Sequence, residues 1–201
     1  MKVLGTLVAV AFAGMAWAQQ PNLEIQALRA LGNGCPPGTF SYNIATDGSA
    51  LTMMYGAFVA AADGRATGVW YDRKSCDVFV RVRTAPGWSF AVDSLDYRGY
   101  LHLERGAEAI QTSTFYFPPH VASEPTATVR YTEPHRDDYL RQNAVPSAAQ
   151  LWSDCGRTSH EIRITTQIAV RTRGDAGVLM TVDSHDQTYQ ERYQLQWRPC
   201  P

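Results

Sequence analysis

The sequence has no long hydrophobic run after its first sixteen residues and no excess of charge of either sign. Its 201 residues hold 18 Lys and Arg against 19 Asp and Glu, for a formal net charge of −1. Nucleic-acid binding requires a basic face, and attachment to anionic membranes requires a basic cluster. The charge balance therefore argues against both, and we expect no membrane span beyond the N-terminal segment, since a spanning helix needs about 20 apolar residues.

Several catalytic motifs are also missing. The chain has no Gly-x-Ser-x-Gly nucleophile turn and no glycine-rich phosphate loop. His160-Glu161 begins like a zinc-protease motif but has no histidine four residues after the first. His135-Arg136-Asp137 supplies half of a facial-triad iron site, and the sequence cannot place the second histidine. We therefore expect no metal and no cofactor.

Two alternatives stay open because residues far apart in sequence can meet in a fold. Asp137-Asp138 and the Asp183/Asp186 pair offer oxygen ligands for a weak calcium clip, although no EF-hand pattern is present. A hydrolase site of the Ser-His-Asp or paired-carboxylate type could also assemble from scattered residues.

The first residues have the features of a secretory signal peptide. MKVLGTLVAVAFAGMAWAQQ has one lysine, an apolar run and the small residues Ala16 and Ala18 around Trp17. This pattern predicts cleavage after Ala18, and the apolar run is too short for a transmembrane anchor. We expect residues 19–201 to be a single soluble domain, secreted or periplasmic.

Four cysteines follow the leader: Cys35, Cys76, Cys155 and Cys200. An even count in an exported chain predicts two disulfides, for which three pairings exist. We favour Cys35–Cys76 and Cys155–Cys200, one in each half of the chain, each closing a loop of roughly 40 residues. A zinc site is disfavoured because there is no Cys-x-x-Cys pair.

Apolar and polar residues alternate with a period of two in several segments. In CDVFVRVR (76–83) one face holds Cys76 and three valines, while the other holds charged residues together with Phe79. HEIRITTQIAVR (160–171) and TYQERYQLQWR (188–198) alternate in the same way. Further strands are predicted at 51–60, 89–93, 95–103, 110–117 and 178–183. About nine to ten short antiparallel strands with Gly and Pro turns predict an all-β sandwich, with a closed barrel as the alternative.

Two segments resist this pattern. QALRALGNG (26–34) has the composition of a short helix that ends at a glycine. Residues 123–150 contain three prolines and little periodicity. We interpret this second segment as a long connection with one helical turn near Asp138–Gln142.

The segment SLDYRGYLHLERGAEA (94–109) concentrates acid–base side chains on a predicted strand. Leu95, Tyr97, Leu101 and Leu103 point to one side, and Asp96, Arg98, Tyr100, His102 and Glu104 point to the other. Residues two apart on a strand face lie about 7 Å apart, so Asp96 can pair with Arg98, and His102 with Glu104. The interpretation without a function is a solvent-exposed strand face with local ion pairs. The functional one is a shallow ligand platform, with Gly99 marking a bulge or a close backbone approach.

Aromatic residues are plentiful, and some stand in turn-like contexts. Trp70 and Tyr71, and also Trp152, are candidates for exposed stacking groups, whereas most aromatics are expected in the core. The candidate ligand-binding set is therefore Asp96, Arg98, Tyr100, His102, Trp70 and Tyr71.

Several motifs together resemble one family of exported proteins. Gly-Asn-Gly-Cys-Pro and Asp-Gly-Ser-Ala-Leu-Thr lie within 31–60, Arg-Lys-Ser-Cys and Asp-Tyr-Arg-Gly within 73–117, and Leu-Gln-Trp-Arg-Pro-Cys ends 179–200. In this combination the chain resembles the domain-of-unknown-function 4360 family. The resemblance implies a secreted, disulfide-bearing, β-rich domain and a strand at 23–31. It implies no catalytic residues, and residues 118–150 depart from the family pattern.

These observations favour a monomeric, non-enzymatic binding or structural module, with a carbohydrate or envelope polymer as its ligand. One alternative is an extracellular hydrolase. Another is an inhibitor or partner-binding domain that uses the 118–150 segment as a protruding loop.

Overall fold

Period-two segments become two facing antiparallel sheets in the computed structural model, which describes residues 21–120, 126–182 and 191–201. The predicted signal peptide and its cleavage site lie outside these residues. The described residues form twelve strands and one 3-10 turn at Ser147–Ala149. They include no helix with the length and apolar character needed to cross a membrane.

The strands range from five to sixteen residues. In chain order they are β1 (Leu23–Leu31), β2 (Phe40–Ile44), β3 (Ala50–Tyr55), β4 (Val59–Asp63), β5 (Tyr71–Thr84), β6 (Trp88–Leu103), β7 (Glu108–Tyr116), β8 (Ala127–Tyr131), β9 (His135–Ala144), β10 (Ser159–Arg171), β11 (Gly177–Thr181) and β12 (Glu191–Pro199).

Sheet A has the order β1-β5-β10-β7-β8, and all its pairs are antiparallel. The long strands β5 and β10 form its centre and pair along their whole shared length, from Ser159 opposite Arg83 to Arg171 opposite Tyr71. β1 and β8 are its two edges.

Sheet B has the order β2-β3-β12-β6-β11-β4, with β9 added against β6. β12 pairs with residues 88–97 of β6 and β11 with residues 101–103, while β9 pairs with residues 94–103. Because a strand has only two edges, β11 and β12 follow one another along one edge of β6, and β9 lies along the other.

The inward side chains of the two sheets form a single apolar core. Its fully buried members include Val78, Val82, Leu95, Leu101, Ile164 and Ile168. Burying each such side chain contributes about 1.5–3 kcal/mol. This shared core explains why the period-two pattern is strongest in the central strands, which have one solvent-exposed face and one buried face.

Both favoured disulfides are confirmed. Cys35 pairs with Cys76 and Cys155 with Cys200, at Cα–Cα distances of 5.5 and 5.6 Å. The first is buried where the segment after β1 meets β5, and the second joins the segment before β10 to the residue that follows β12.

The interpretation of residues 123–150 as a long connection is wrong. β8 and β9 occupy most of its described part, and the residues expected to form a helical turn, Asp138–Gln142, belong to β9. In β9 only Tyr139 is buried, since this edge strand has water on both faces over most of its length. A strand of this kind shows no apolar–polar alternation, so the sequence pattern missed it.

Three smaller differences concern the strand boundaries. Residues 26–34 do not form the helix that local composition suggests, because 23–31 is β1, as the family resemblance implied. The predicted strand 51–60 is split into β3 and β4, and the predicted pair 89–93 and 95–103 is one strand, β6. The described residues form twelve strands where about nine to ten were predicted, because β2, β8 and β9 were not predicted as strands. The antiparallel sandwich itself is confirmed.

Candidate functional site

Four side chains form a row across the outer face of sheet A. Strand register places Arg29 of β1 opposite Phe79 of β5, Phe79 opposite Arg163 of β10, and Arg163 opposite Tyr116 of β7. The Arg29 guanidinium lies 5.5 Å from the centre of the Phe79 ring, and the Arg163 guanidinium lies 4.9 Å from it. An aromatic ring flanked by two cations thus stands on the face of the sheet that usually carries only solvated polar groups.

This row forms the floor of an open groove of about 510 Å³. The apolar part of its lining comprises Ala27, Leu28, Phe79, Val80, Ile162, Pro118, Pro119 and the largely buried Tyr116. The charged part consists of three arginines and one glutamate: Arg29, Arg81, Arg163 and Glu161. A concave, mainly apolar surface with a few convergent polar groups is typical of small-ligand sites, and the volume is within their usual range of about 300–1,000 Å³.

Two of the three arginines are already paired. Arg81 Nη2 lies 2.8 Å from Glu161 Oε1, and Arg163 Nη2 lies 3.3 Å from Asp77 Oδ1, which also accepts a 2.6 Å hydrogen bond from Thr165 Oγ1. Within the part of the chain that the structure describes, no carboxylate is in ion-pairing distance of Arg29. Its position on Phe79 holds the guanidinium at the groove with hydrogen-bond donors to spare.

The polar face predicted on β6 lies on the outside of sheet B. Leu95, Tyr97, Leu101 and Leu103 are buried, as the strand parity predicts, whereas Asp96, Arg98, Tyr100 and His102 point outward and are half-buried or exposed. Across β9 their partners in register are Gln142, Leu140, Asp138 and Arg136. Gly99 is a point of close approach, since a Cβ there would lie 2.2 Å from the Thr181 carbonyl oxygen.

Of the two expected pairs on this face, one forms. His102 Nε2 lies 3.8 Å from Glu104 Oε1, whereas Asp96 accepts a 3.3 Å hydrogen bond from the Gln194 amide instead of pairing with Arg98. Two depressions of about 400 and 390 Å³ flank His102, one toward β9 and one toward β4. Neither has a Phe, Tyr or Trp side chain among its described lining residues, so neither offers a large stacking surface.

Trp70 and Tyr71 are exposed, as predicted, with 49% and 56% of their surface accessible. Tyr71 begins β5 in sheet A opposite Arg171, and the Trp70 ring lies against Gly64, where an added Cβ would clash with it. Tyr71 therefore belongs to the sheet opposite Asp96–His102, whereas Trp70 lies in the connection between β4 of sheet B and β5 of sheet A. Trp152 is half-buried, with the Arg198 guanidinium 4.1 Å from its ring centre.

The histidines are distributed over different elements. His102 and His135 lie on β6 and β9, His120 follows β7, and His160 is buried at the start of β10 beside Thr84. Burial lowers the pKa of His160, and so favours the neutral ring. In residues 21–120, 126–182 and 191–201, no group of three or more His, Cys, Asp or Glu side chains is arranged to hold a metal ion. His185, Asp183 and Asp186 lie outside the described residues.

A fully buried carboxylate, that of Glu191, sits between the two sheets. It accepts hydrogen bonds from Thr166 Oγ1 at 2.6 Å, Tyr193 OH at 2.8 Å and Tyr55 OH at 3.0 Å, and from Ser113 Oγ. Burial raises its pKa, although the four hydroxyl donors act in the opposite direction. Ser113 and Thr166 belong to sheet A and Glu191 to sheet B, so this network ties the sheets together.

Sequence reasoning missed both the groove and the buried carboxylate. The groove depends on the register of four strands that are far apart in sequence, and its one local indication was Phe79, an aromatic residue on the polar side of β5. The indication for Glu191 was its position on the apolar side of β12, between Tyr189 and Tyr193 in the alternation.

Two solved structures show a remote likeness to this chain. TmCBM61, solved in complex with β-1,4-galactotriose, aligns with 85% of this chain and 90% of its own at 11% identity and a TM-score of 0.30. The enzymatically active domain of tailspike protein 4 of bacteriophage CBA120 aligns with 87% of this chain and 19% of its own at 10% identity and a TM-score of 0.28. Likenesses this remote carry no argument about ligand or activity.

Sequence relatives are more informative. A protein of Arthroderma benhamiae, described as an uncharacterized secreted protein, is 30% identical over 170 residues, which span 84% of this chain and 68% of the relative. This relative confirms the predicted export. The model of the domain of unknown function DUF4360 matches residues 21–200, nearly all of the chain that follows the predicted signal peptide. The chain is therefore a member of the DUF4360 family.

Proposed function

We propose that this exported chain is a non-enzymatic binding module that holds a polysaccharide in the groove on the outer face of sheet A. The observation that carries the proposal is the Arg29–Phe79–Arg163–Tyr116 row, which places an aromatic ring on an open sheet face between two guanidinium groups. A sugar ring has an apolar C–H face and a hydroxyl edge. Phe79 suits the first and the surrounding charged groups suit the second.

The lining of the groove favours binding over catalysis. Among its described residues it has one carboxylate, Glu161, which is engaged by Arg81, and it has no histidine, serine or cysteine. Glycoside hydrolysis normally needs a second carboxyl group on the other side of the scissile bond. Glu191 is enclosed by the core, so it does not supply that group.

The partner-binding alternative loses its original basis, because residues 127–131 and 135–144 are strands of the sandwich and not a protruding loop. The face of Asp96, Arg98, Tyr100 and His102 stays a prediction for the ligand site. It has a half-buried aromatic residue, Tyr100, but its depressions have no aromatic floor. The groove of sheet A is the better-formed surface.

Retention on insoluble polymers tests the proposal. The oxidised, exported chain is passed over cellulose, chitin and peptidoglycan at about 0.15 M salt, where exposed charges are screened beyond about 8 Å. We expect retention on at least one polymer, lost in Phe79→Ala and kept in Tyr100→Ala, since Tyr100 is a matched aromatic on the opposite sheet. Melting curves of both variants establish that they are folded.

The opposite pattern, loss in Tyr100→Ala and retention in Phe79→Ala, would move the site to the predicted face of sheet B. Retention that survives both substitutions would contradict an aromatic platform on either face. No retention on any polymer would contradict a neutral polysaccharide as the ligand.

A further inference from the structure

From the charge of the groove we infer that its ligand is an acidic polysaccharide, one whose sugar units carry carboxylates, and that Arg29 binds the carboxylate. This inference rests on the proposed function and specifies the chemistry of the ligand. It starts from an imbalance: the lining has three guanidinium groups and one carboxylate, on a chain whose formal net charge is −1.

The imbalance is concentrated at one residue. Glu161 and Asp77 pair with Arg81 and Arg163, so these two arginines are largely neutralised in place. Arg29 has no such partner among the described residues. Its charge faces the open groove, where an anionic group of the ligand completes the pairing.

Arg29 is also held ready for this role. Its guanidinium lies over the Phe79 ring, so a preferred position exists before any ligand arrives and less side-chain freedom is lost on binding. A guanidinium presents paired donors that match the two oxygens of a carboxylate.

A sugar acid suits both the apolar and the charged part of the groove lining. Its ring offers the C–H face that packs on Phe79, and its carboxylate stands at the ring edge, where Arg29 lies. A neutral sugar leaves Arg29 unpaired, and a polyanion without sugar rings has no C–H face for Phe79 and gains only screened attraction. The structure therefore predicts a preference for carboxylate over ester and not a general affinity for anions.

Soluble polygalacturonate and its fully methyl-esterified form are suitable probes, because they share one backbone and differ only in whether each carboxyl group is ionised or methyl-esterified. Calorimetric titration of the full exported chain at about 0.15 M salt gives the affinity for each. We expect the esterified polymer to bind about tenfold more weakly or worse, which is the usual loss for a charge-assisted hydrogen bond. Arg29→Gln is expected to abolish this difference.

Arg173→Gln is the charge-matched control, since Arg173 is an exposed arginine after β10 and does not line the groove. It is expected to keep the full preference. Polyglutamate, which has carboxylates but no sugar rings, tests for general attraction to anions, and it is not expected to compete with polygalacturonate at equal charge concentration.

The possible failures separate the two proposals. Equal binding of both polymers that is lost in Phe79→Ala would keep the polysaccharide site and overturn the acidic ligand. Equal competition by polyglutamate would overturn the acidic-sugar inference in favour of a simple cationic patch. If the protein binds neither form of galacturonan but is retained on a neutral insoluble polymer, the acidic-ligand inference is wrong and the proposed function stands.

Discussion

Glu191 is unusual because its ionisable carboxyl group lies fully buried in the apolar core. A carboxylate at the centre of a sandwich core is costly to bury, yet here it satisfies four hydroxyl donors that themselves come from both sheets. Three of the surrounding tyrosines, Tyr55, Tyr193 and Tyr97, have pKa values raised mainly by burial and further by the Glu191 charge. All three therefore remain neutral at any ordinary pH, and two of them, Tyr55 and Tyr193, donate hydrogen bonds to Glu191.

The raised pKa of Glu191 predicts a specific pH dependence. Between the unfolded value of 4.5 and the higher folded value, the native state binds more protons than the unfolded state. The free energy of unfolding contributed by Glu191 is therefore fully present below pH 4.5 and falls as the pH rises through the folded pKa. In Glu191→Gln this contribution is absent. As the pH rises, we therefore expect the wild type to lose free energy of unfolding relative to the variant.

Urea unfolding of both proteins from pH 4 to pH 8 measures this difference. Glu133→Gln, which changes an exposed glutamate in the turn between β8 and β9, controls for the loss of a surface charge. A difference between wild type and Glu191→Gln that stays constant across this range would contradict a raised pKa at Glu191.

At the scale of strands, β6 determines most of sheet B. It is sixteen residues long and pairs with β12, β11 and β9. Its alternation could be seen in the sequence because one face packs on the core and the other meets water. The same reasoning identified β5, β10 and β12 but failed for β9, where Leu140 is 67% exposed and only Tyr139 is buried.

The groove could not be predicted from alternation patterns, and the physical reason differs from that for β9. Each of its strands has an unremarkable polar side, and the site exists only because long-range pairing aligns Arg29, Phe79, Arg163 and Tyr116. Period-two patterns specify which face a side chain occupies, but not which strand lies beside it. The strands and their inward residues were thus largely predictable, whereas the site was not.

Gly99 gives a test of how β6 meets its neighbours. It stands between the β6 residues that pair with β12 and those that pair with β11, and a Cβ there would lie 2.2 Å from the Thr181 carbonyl oxygen and 2.8 Å from Tyr139 OH. Gly99→Ala must therefore displace backbone, and we expect it to lower the free energy of unfolding by about 1–3 kcal/mol or more.

Gly56→Ala is the matched control, because an added Cβ there meets its nearest atom at 3.6 Å and the residue is exposed. It is expected to change stability by less than about 0.5 kcal/mol. Equal thermal and urea stability of the two alanine variants would show that β6 does not need the close approach at Gly99.

For the whole molecule, the two disulfides secure the places where the chain passes between sheets. Cys35 lies on the connection from β1 of sheet A to β2 of sheet B and is tied to β5. Cys200 follows β12 of sheet B and is tied to Cys155, shortly before β10 of sheet A. Together with the Glu191 network, these disulfides join the two sheets around the core. The sequence indicated which residues face that core, but not how the strands pair around it.

The two disulfides close loops of nearly equal length, with sequence separations of 41 and 45 residues, so loop entropy predicts a similar loss of about 4 kcal/mol for either. They differ in burial: Cys35 and Cys76 are 2% and 0% exposed, whereas Cys155 is exposed. Cys76→Ser adds a buried hydroxyl and a buried free thiol to the entropic loss, and should therefore lower the melting temperature more than Cys155→Ser. Differential scanning calorimetry of both variants, with the remaining disulfide shown to be oxidised, measures this. Equal losses would mean that loop closure alone accounts for the stabilisation, and an unchanged melting temperature in Cys76→Ser would contradict a stabilising role for the buried disulfide.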